Sequence, residues 1–344
     1  MTVTLKDLSK ASGVSVGTVS RALNDKNEVS ADTAKRIRQL AQELGYVPNR
    51  AGKALSAQKN LNTVGILLPS INGPFFDDIK QGIKEAESEF KDLGLEVILR
   101  EVEGWDVDEH VRTIEELKEH GCKSLALCTV DHDKIRACID DLDKENIPVI
   151  LINNNVQNCK NVAFVGPDYH RSGEIAAALL YKSRSYEPLK ILIVVGLKSH
   201  HGHAARVEGF TRELQRRHCD FEIVDVVEGM DNDIVTQQVT MDALKSHSEV
   251  NCIYMASGSG VSGLGAAIIA ESLTKFFVIA CDEIYTTREL VKSDIIDFVI
   301  CQEPRTQGYQ AIKLLHEYMS KPRLGKMEDY IVDNIIKLKN HFES

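Results

Sequence analysis

The sequence predicts a small all-α helix-turn-helix head followed by an α/β body of two doubly wound parallel-sheet subdomains. Three observations carry that expectation. Residues 4–24, TLKDLSKASGVSVGTVSRALN, hold helical apolar spacing broken by one glycine. From Thr63 onward, strand-length apolar runs alternate with amphipathic helices. Charge is divided unevenly between these two parts.

In the head, Leu5 and Leu8 are three apart and Ala11 continues their face. Gly13 then makes a tight turn cheap. Ser15 is placed to cap the next helix with its hydroxyl, and Val19 and Leu23, four apart, point inward. Helix, glycine turn and second helix make a helix-turn-helix, in which the early residues of the second helix meet base edges in a major groove. Val16 and Gly17 begin that helix, and Arg21 follows one turn on, with a fork able to give two hydrogen bonds to guanine. Thr18 and Ser20 can reach phosphates, and the helix N-terminus favours an anion. Ser30 caps a third helix, on which Ile37, Leu40, Ala41 and Leu44 face the first two and which Gly45 ends. Tyr46-Val47-Pro48 is extended, since the residue before proline avoids the helical region. Asn49 can then cap a short segment to Ala57, too short to be a stable helix alone in water.

The chain of 344 residues has a net charge of −10. Residues 1–60 nevertheless carry ten Lys/Arg against five Asp/Glu, a balance of +5 that leaves −15 for the remainder. A basic head on an acidic body is the asymmetry expected when one domain meets phosphate and the other does not. No run reaches the ~18 apolar residues of a membrane span, and the N-terminus lacks the apolar core of a secretory signal. The 8 Cys are scattered without a CxxC, which suits reduced, buried thiols in a cytoplasmic protein.

The body reads as strands at VGILLP, LEVILR, KSLALC, IPVILI, NVAFV, LKILIVV, FEIVDVV, NCIYMA, FFVIAC and DFVIC, separated by helices, with a strand-like tail IIKLK. Near-continuous apolar strands in βα alternation mean parallel sheets covered by helices, and ligands of such sheets sit beyond the carboxyl ends of the strands. The loops there are polar: Asn72 with Phe75 and Phe76 after the first strand, then Asp131, Asn153, the His200–His203 run leading to Arg206, Ser257, Asp282 and Gln302. Carboxylate, guanidinium and amide on separate loops suit a polyhydroxylated ligand. Either Phe75 or Phe76 can stack on a sugar face, and Trp105 can stack or pack. His200, His201 and His203 lack a second ligand pair at metal spacing and read as a wet surface or cleft-edge loop. Gly258-Ser259-Gly260-Val261-Ser262-Gly263 is formally a dinucleotide loop with Asp282 about twenty residues on, so an NAD-dependent enzyme is the alternative. It lies far from the first βαβ unit and has no acid–base set beside it. A solute-binding receptor is a third reading.

TLKDLSKASGVSVGTVSRALN, VS at 29–30 and ELGYVPNRAGKALS at 43–56 resemble the start of LacI-type bacterial transcription regulators. PFF after the first strand, Arg206, Asp282 and QEPRTQG at 302–308 resemble the type I periplasmic-binding-protein sensor that follows that head. The resemblance implies a DNA-binding domain at 1–48, a hinge helix and linker at 49–61, and a sensor at 62–344. Within the sensor, the N-subdomain is expected over about 62–156 and 297–322, the C-subdomain over about 157–296 and 323–340. It implies a hinge that orders on DNA, with Leu55 wedging the minor groove and Lys53 on phosphate. The expected DNA contacts are thus Thr4, Ser15, Val16, Gly17, Thr18, Ser20, Arg21, Asn24, Asn49, Arg50, Lys53 and Leu55. The expected ligand contacts are Asn72, Phe75, Phe76, Asp131, Asn153, Arg206, Ser257, Asp282 and Gln302. The function implied is that of a regulator, a repressor, acting as a homodimer on pseudo-palindromic operator DNA under control of a small neutral sugar or polyol, with no cofactor, metal or membrane partner. Asn153-Asn154 and Ser257-Gly258-Ser259 depart from the pairs usual in sugar binders of this group.

Overall fold

The computed structural model describes residues 3–23, 29–46, 62–69, 73–184, 187–198, 200–271, 276–320 and 325–343. The chain divides into two compact units that part between Leu61 and Asn62.

The first unit has three helices: α1 (Leu5–Ser12), α2 (Val16–Leu23) and α3 (Ala31–Glu43). Thr4 caps α1 reciprocally. Its hydroxyl oxygen accepts from the Asp7 N–H, while its own N–H donates to the Asp7 carboxylate at 2.9 Å. Gly13 ends α1 with φ of 73°, a left-handed turn that glycine enters without a Cβ penalty. Ser9 Oγ donates to Val14 O at 2.6 Å and Arg36 donates to Ser12 O at 2.9 Å, so the turn is tied both locally and to α3. Ser15 caps α2, accepting from Thr18 N–H at 3.1 Å. Leu8, Val19, Ala22, Ile37 and Ala41 form the core. Leu44, expected to pack inward, is exposed because α3 stops at Glu43. The expected hinge, with Asn49, Arg50, Lys53 and Leu55, lies outside the described residues, as does Asn24.

The second unit holds two six-stranded sheets. The first contains β1 (Asn62–Leu68), β2 (Leu95–Glu101), β3 (Ser124–Leu127), β4 (Val149–Ile152), β5 (Ala163–Pro167) and β11 (Tyr330–Val332), in the order β11-β5-β4-β3-β1-β2. The second contains β6 (Leu189–Val195), β7 (Phe221–Glu228), β8 (Cys252–Met255), β9 (Phe277–Cys281), β10 (Phe298–Cys301) and β12 (Ile335–Lys337), in the order β12-β10-β9-β8-β6-β7. All pairings are parallel except β12 on β10. Central strands such as β3, β4, β8 and β9 are buried on both faces, which is why they read as unbroken apolar runs.

Helices α4 (Pro74–Phe90), α5 (Val107–Glu119), α6 (Asp133–Lys144) and α12 (Pro304–Ser320) cover the first sheet. The second is covered by α7 (Tyr169–Arg184), α8 (His201–Arg216), α9 (Asp233–Ser246), α10 (Val261–Ala270) and α11 (Tyr285–Lys292). Each subdomain has at least one very close helix pair. A Cβ on Gly82 of α4 would stand 1.9 Å from Arg305 O of α12, and one on Gly308 2.1 Å from Ile79 O. On the other side, a Cβ on Gly173 of α7 would stand 2.0 Å from Arg206 O of α8. Only glycine allows backbones this near.

Sheet membership corrects the expected subdomain boundaries. β5 pairs with β4 and so belongs to the first sheet, although 157–296 was assigned to the second subdomain. β10 pairs with β9 in the second sheet, although 297–322 was assigned to the first. β11 joins the first sheet and β12 the second, splitting a tail expected to be one strand. An apolar run announces a buried strand but not which sheet it joins. The chain therefore crosses between sheets three times: after β5, after β10, and between β11 and β12.

Candidate functional site

The carboxyl ends of both sheets face a cavity of about 650 Å³, within the ~300–1,000 Å³ of small-molecule sites. The first subdomain contributes Phe75 and Phe76 from the first turn of α4, Trp105 from the loop after β2, and Asn153 from the end of β4. The second contributes His200, His203 and Arg206 around α8, Asp231 after β7, Ser257 to Gly260 after β8, Asp282 after β9 and Gln302 after β10. Asn153, Asp231 and Asp282 take φ of 62°, 52° and 68°. Non-glycine residues adopt this left-handed region rarely, Asn and Asp most readily, and such conformations cluster where a side chain must be aimed.

The floor of the cavity is a ring of polar contacts. Asn153 Nδ2 donates to Gln302 Oε1 at 3.1 Å, and Gln302 Nε2 donates to Asp282 Oδ1 at 2.6 Å. Asp282 pairs with Arg206 at 3.6 Å. The Arg206 guanidinium lies 4.9 Å from the Tyr169 ring centroid, and Tyr169 Oη donates back to Asn153 Oδ1 at 3.0 Å. Gln307 of α12 buttresses the ring, accepting from Asn153 and donating to Gln302 O at 2.6 Å. Arg206 also donates to Ala256 O at 3.1 Å, while its buried Nε meets no partner among the described residues. Burial raises the Asp282 carboxyl above its ordinary range, with Arg206 and Gln302 pulling the other way.

Above this floor the histidines are neutral. Burial, reinforced by Arg206, pushes His200 down to about 4, and burial with His200 beside it holds His203 well below its ordinary value. His200 Nε2 meets Asn154 Nδ2 at 3.0 Å. The Trp105 ring meets His200 edge-on, with centroids 5.1 Å apart. His110 bridges Thr129 Oγ1 at 2.8 Å and Gly104 O at 3.1 Å, fixing the Trp105 loop from behind. Of the two expected settings, wet surface or cleft edge, the histidine run takes the second: His200 and His203 line the cavity, His203 is buried, and only His201 is exposed. Among the described residues no group of His, Cys, Asp and Glu is arranged to hold a metal.

Of the expected ligand contacts, Phe75, Phe76, Asn153, Arg206, Ser257, Asp282 and Gln302 line this one cavity. They stand together with the ring of contacts complete. Asn72 lies outside the described residues. Asp131 is a correction. It is exposed, accepts from Gln157 N–H at 3.3 Å and pairs with Arg136 one turn into α6, so its own helix takes its charge. Asp231 and Tyr169 were not anticipated. Asp231 sits in a loop with no motif, and Tyr169 only opens a helix in the sequence.

The Gly258–Gly263 loop also has packing reasons for its glycines. A Cβ on Gly258 would stand 2.5 Å from Asp282 Oδ2, and one on Gly263 1.9 Å from Asp233 O at the start of α9. Gly260 takes φ of 83°. Each of these glycines clears protein atoms.

In the first unit, Val16, Gly17 and Arg21 are exposed along α2, and Ser20 is half-buried. Arg21 Nη2 lies 3.7 Å from where a Cβ on Gly17 would stand, so the guanidinium covers the first turn of the helix. The hydroxyls of Thr4, Ser15 and Thr18 already serve as caps or cap partners.

Two family profiles match the chain: "Periplasmic binding protein domain" over residues 64–323 and "Bacterial regulatory proteins, lacI family" over residues 4–49. The HTH-type transcriptional regulator DegA of Bacillus subtilis is 26% identical over 217 residues, 62% of this chain and 61% of DegA. RegA of Clostridium saccharobutylicum is 32% identical over 149 residues, 43% of this chain and 44% of RegA. The chain thus spans about three fifths or less of the length of these two relatives. Among solved structures, the glucose-galactose binding protein GanP of Geobacillus stearothermophilus superposes with a TM-score of 0.76 at 19% identity, covering 83% of this chain and 100% of GanP. A putative LacI transcriptional regulator from Bacteroides fragilis gives 0.73 at 20% identity, covering 83% of this chain and 99% of that one. At those identities the likeness is one of fold. With the sheet pair matched along 64–323 and the three-helix head along 4–49, the chain belongs to the periplasmic-binding-protein domain family through its body and carries a head domain of the lacI family of bacterial regulatory proteins.

Proposed function

We propose that this protein is a sequence-specific DNA-binding transcription regulator, a repressor, whose operator affinity is set by a small sugar or polyol in the cavity between the two sheets. The observation that carries the reading is the polar floor. Five side chains from both subdomains form one ring, so a hydroxylated ligand that exchanges hydrogen bonds with it alters how the subdomains are held. Relatives named ribose operon repressor, one 24% identical over 261 residues, support the class of effector. The protein acts as a homodimer, placing two copies of α2 in successive major grooves of a pseudo-palindrome.

The reading is of a binding protein in the cytoplasm rather than an enzyme or a solute receptor. The cavity's one buried guanidinium and its facing carboxylate engage each other, and the dinucleotide-like glycines have packing roles. Selection of duplexes from a random pool by the full chain, followed by fluorescence anisotropy with and without sugars and polyols, tests it. A palindromic consensus whose binding changes with one of these compounds is the expected result. Absence of any sequence preference overturns it. In the same assay, Arg21→Ala weakens consensus binding by ~1–3 kcal/mol and relaxes preference at one base pair per half-site.

A further inference from the structure

The charges lining the cavity do not balance. Among the described residues its one buried cation, Arg206, faces Asp282 at 3.6 Å, and the two neutralise each other. His200 and His203 are held neutral by burial. Two further carboxylates stand in the wall, half-buried Asp231 and exposed Asp233, and among the described residues no cation pairs with Asp231. Its partners are hydroxyls: Ser257 Oγ donates to Oδ1 at 3.4 Å, and Ser259 assists.

The seat of Asp231 is specifically built. Met230 and Asp231 are consecutive non-glycine residues in the left-handed region, with φ of 55° and 52°, a conformation a structure holds only when its surroundings over-determine it. The Met230 and Gly229 N–H groups donate to Gly196 O and Val195 O, each at 2.8 Å, pinning the turn to the end of β6. A Cβ on Gly196 would fall 1.9 Å from Asp231 Oδ1, so glycine there is what admits the carboxylate. Desolvation raises Asp231 above the ordinary carboxylate range, as expected for a charge still lacking its counterion. The first subdomain presents Phe75, Phe76 and Trp105 to the same cavity. An uncompensated carboxylate and several aromatic faces together suit an ammonium group, which gains from both.

We infer that the effector is a polyhydroxylated compound bearing one protonated amine, an amino sugar or amino polyol, whose ammonium is held by Asp231. Its hydroxyls meet Asn153, Asp282 and Gln302, and its C–H and N–H faces lie against the aromatic wall. This rests on the effector-site reading of the cavity and replaces the neutral ligand expected from the sequence. An anion would meet Asp231 unshielded.

The test is calorimetric titration of the full chain with matched probes: glucosamine, glucose and N-acetylglucosamine; galactosamine and galactose; 1-amino-1-deoxysorbitol and sorbitol. In at least one set the amine binds about tenfold or more tightly than its hydroxyl counterpart, the gain weakens with salt, and N-acetylation removes it. Asp231→Asn abolishes the amine's advantage while changing the hydroxyl compound's affinity less than about twofold. A neutral member binding as tightly as its amine in every set, or no amine binding at millimolar concentration, overturns the inference. So does equal loss for both members in Asp231→Asn. The melting temperature of the ligand-free variant gives an independent reading. It rises if Asp231 is a charge awaiting a counterion, whereas a fall of several degrees marks a structural acceptor and removes the proposal. A neutral sugar that shifts operator binding would sink the amine while leaving the regulatory reading standing. Loss of sequence-selective DNA binding would do the reverse.

Discussion

The two subdomains of the body are the same construction carrying different chemistry. Each sheet runs in the same strand order, and each is covered by a helix pair, the second sheet by two, in which glycine lets backbone meet backbone. Yet the first subdomain offers the cavity aromatic rings and a single amide, Asn153, while the second supplies Arg206, Asp231, Ser257 and Asp282. One jaw is a hydrophobic surface and the other is a set of directional hydrogen-bonding groups. The scaffold is therefore indifferent to what its loops carry, and recognition is divided: shape and stacking on one side, charge and register on the other.

The largest effects should fall on what the jaws share. Gly82→Ala and Gly173→Ala each force a Cβ to within 2.0 Å of a carbonyl oxygen, so each should destabilise the body by about 3 kcal/mol in urea unfolding, the upper end for overpacking. Comparable losses sharpen the parallel, and a tolerated alanine on one side alone breaks it. Next comes what separates them. Asp282→Ala removes the acceptor of Gln302 Nε2 and the carboxylate facing Arg206, costing ~1–3 kcal/mol, and should cut effector affinity about ten- to a hundredfold. Calorimetry with the effector identified by the screen measures it, and unchanged affinity would show that the polar jaw is not the reader. The smallest effect concerns pH. Unfolded His200 takes up a proton near 6.5, whereas folded His200 does so only near 4. Between those values the unfolded chain binds more protons, so stability falls as pH drops through that window. The full shift corresponds to about 3 kcal/mol, and partial solvent access reduces the expected loss to about half that. Thermal melts from pH 7 to 4 should show it, and His200→Gln should flatten the slope.

Most of the architecture could be read from residue order because each element announces itself locally. The helix-turn-helix follows from Leu8, Gly13, Ser15 and Val19 alone, and the strands from their apolar runs. What could not be read depends on partners distant in sequence. NVAFV is the same strand whether it pairs with β4 or with β6, and only its hydrogen bonds to Ile150 and Ile152 neighbours place it in the first sheet. Asp131 and Asp231 are equally plausible carboxylates after a strand. One has Arg136 on the following helix, and the other has no paired cation among the described residues, a distinction that exists only in three dimensions. Arg206, Asp282 and Gln302 were legible because the loops of doubly wound sheets converge at the strand ends. Tyr169 was not, because its role arises from the crossing just before it.

Those crossings have a mechanical consequence. Two bodies joined by one strand of chain can swivel freely, but three roughly adjacent connections behave like a door hung on three pins, with one axis and little freedom to twist. The pins and the site share residues. Tyr169 stands two positions beyond β5, Gln302 directly follows β10, and the third crossing is latched to the first by Asn334, whose amide donates to Asp168 O at 3.3 Å. A ligand that rearranges the ring therefore acts on the pivots themselves rather than on the outer edges of the jaws. Displacements too small to matter at the axis become large at the far rim of each leaf, so recognition and rotation occur in the same few residues.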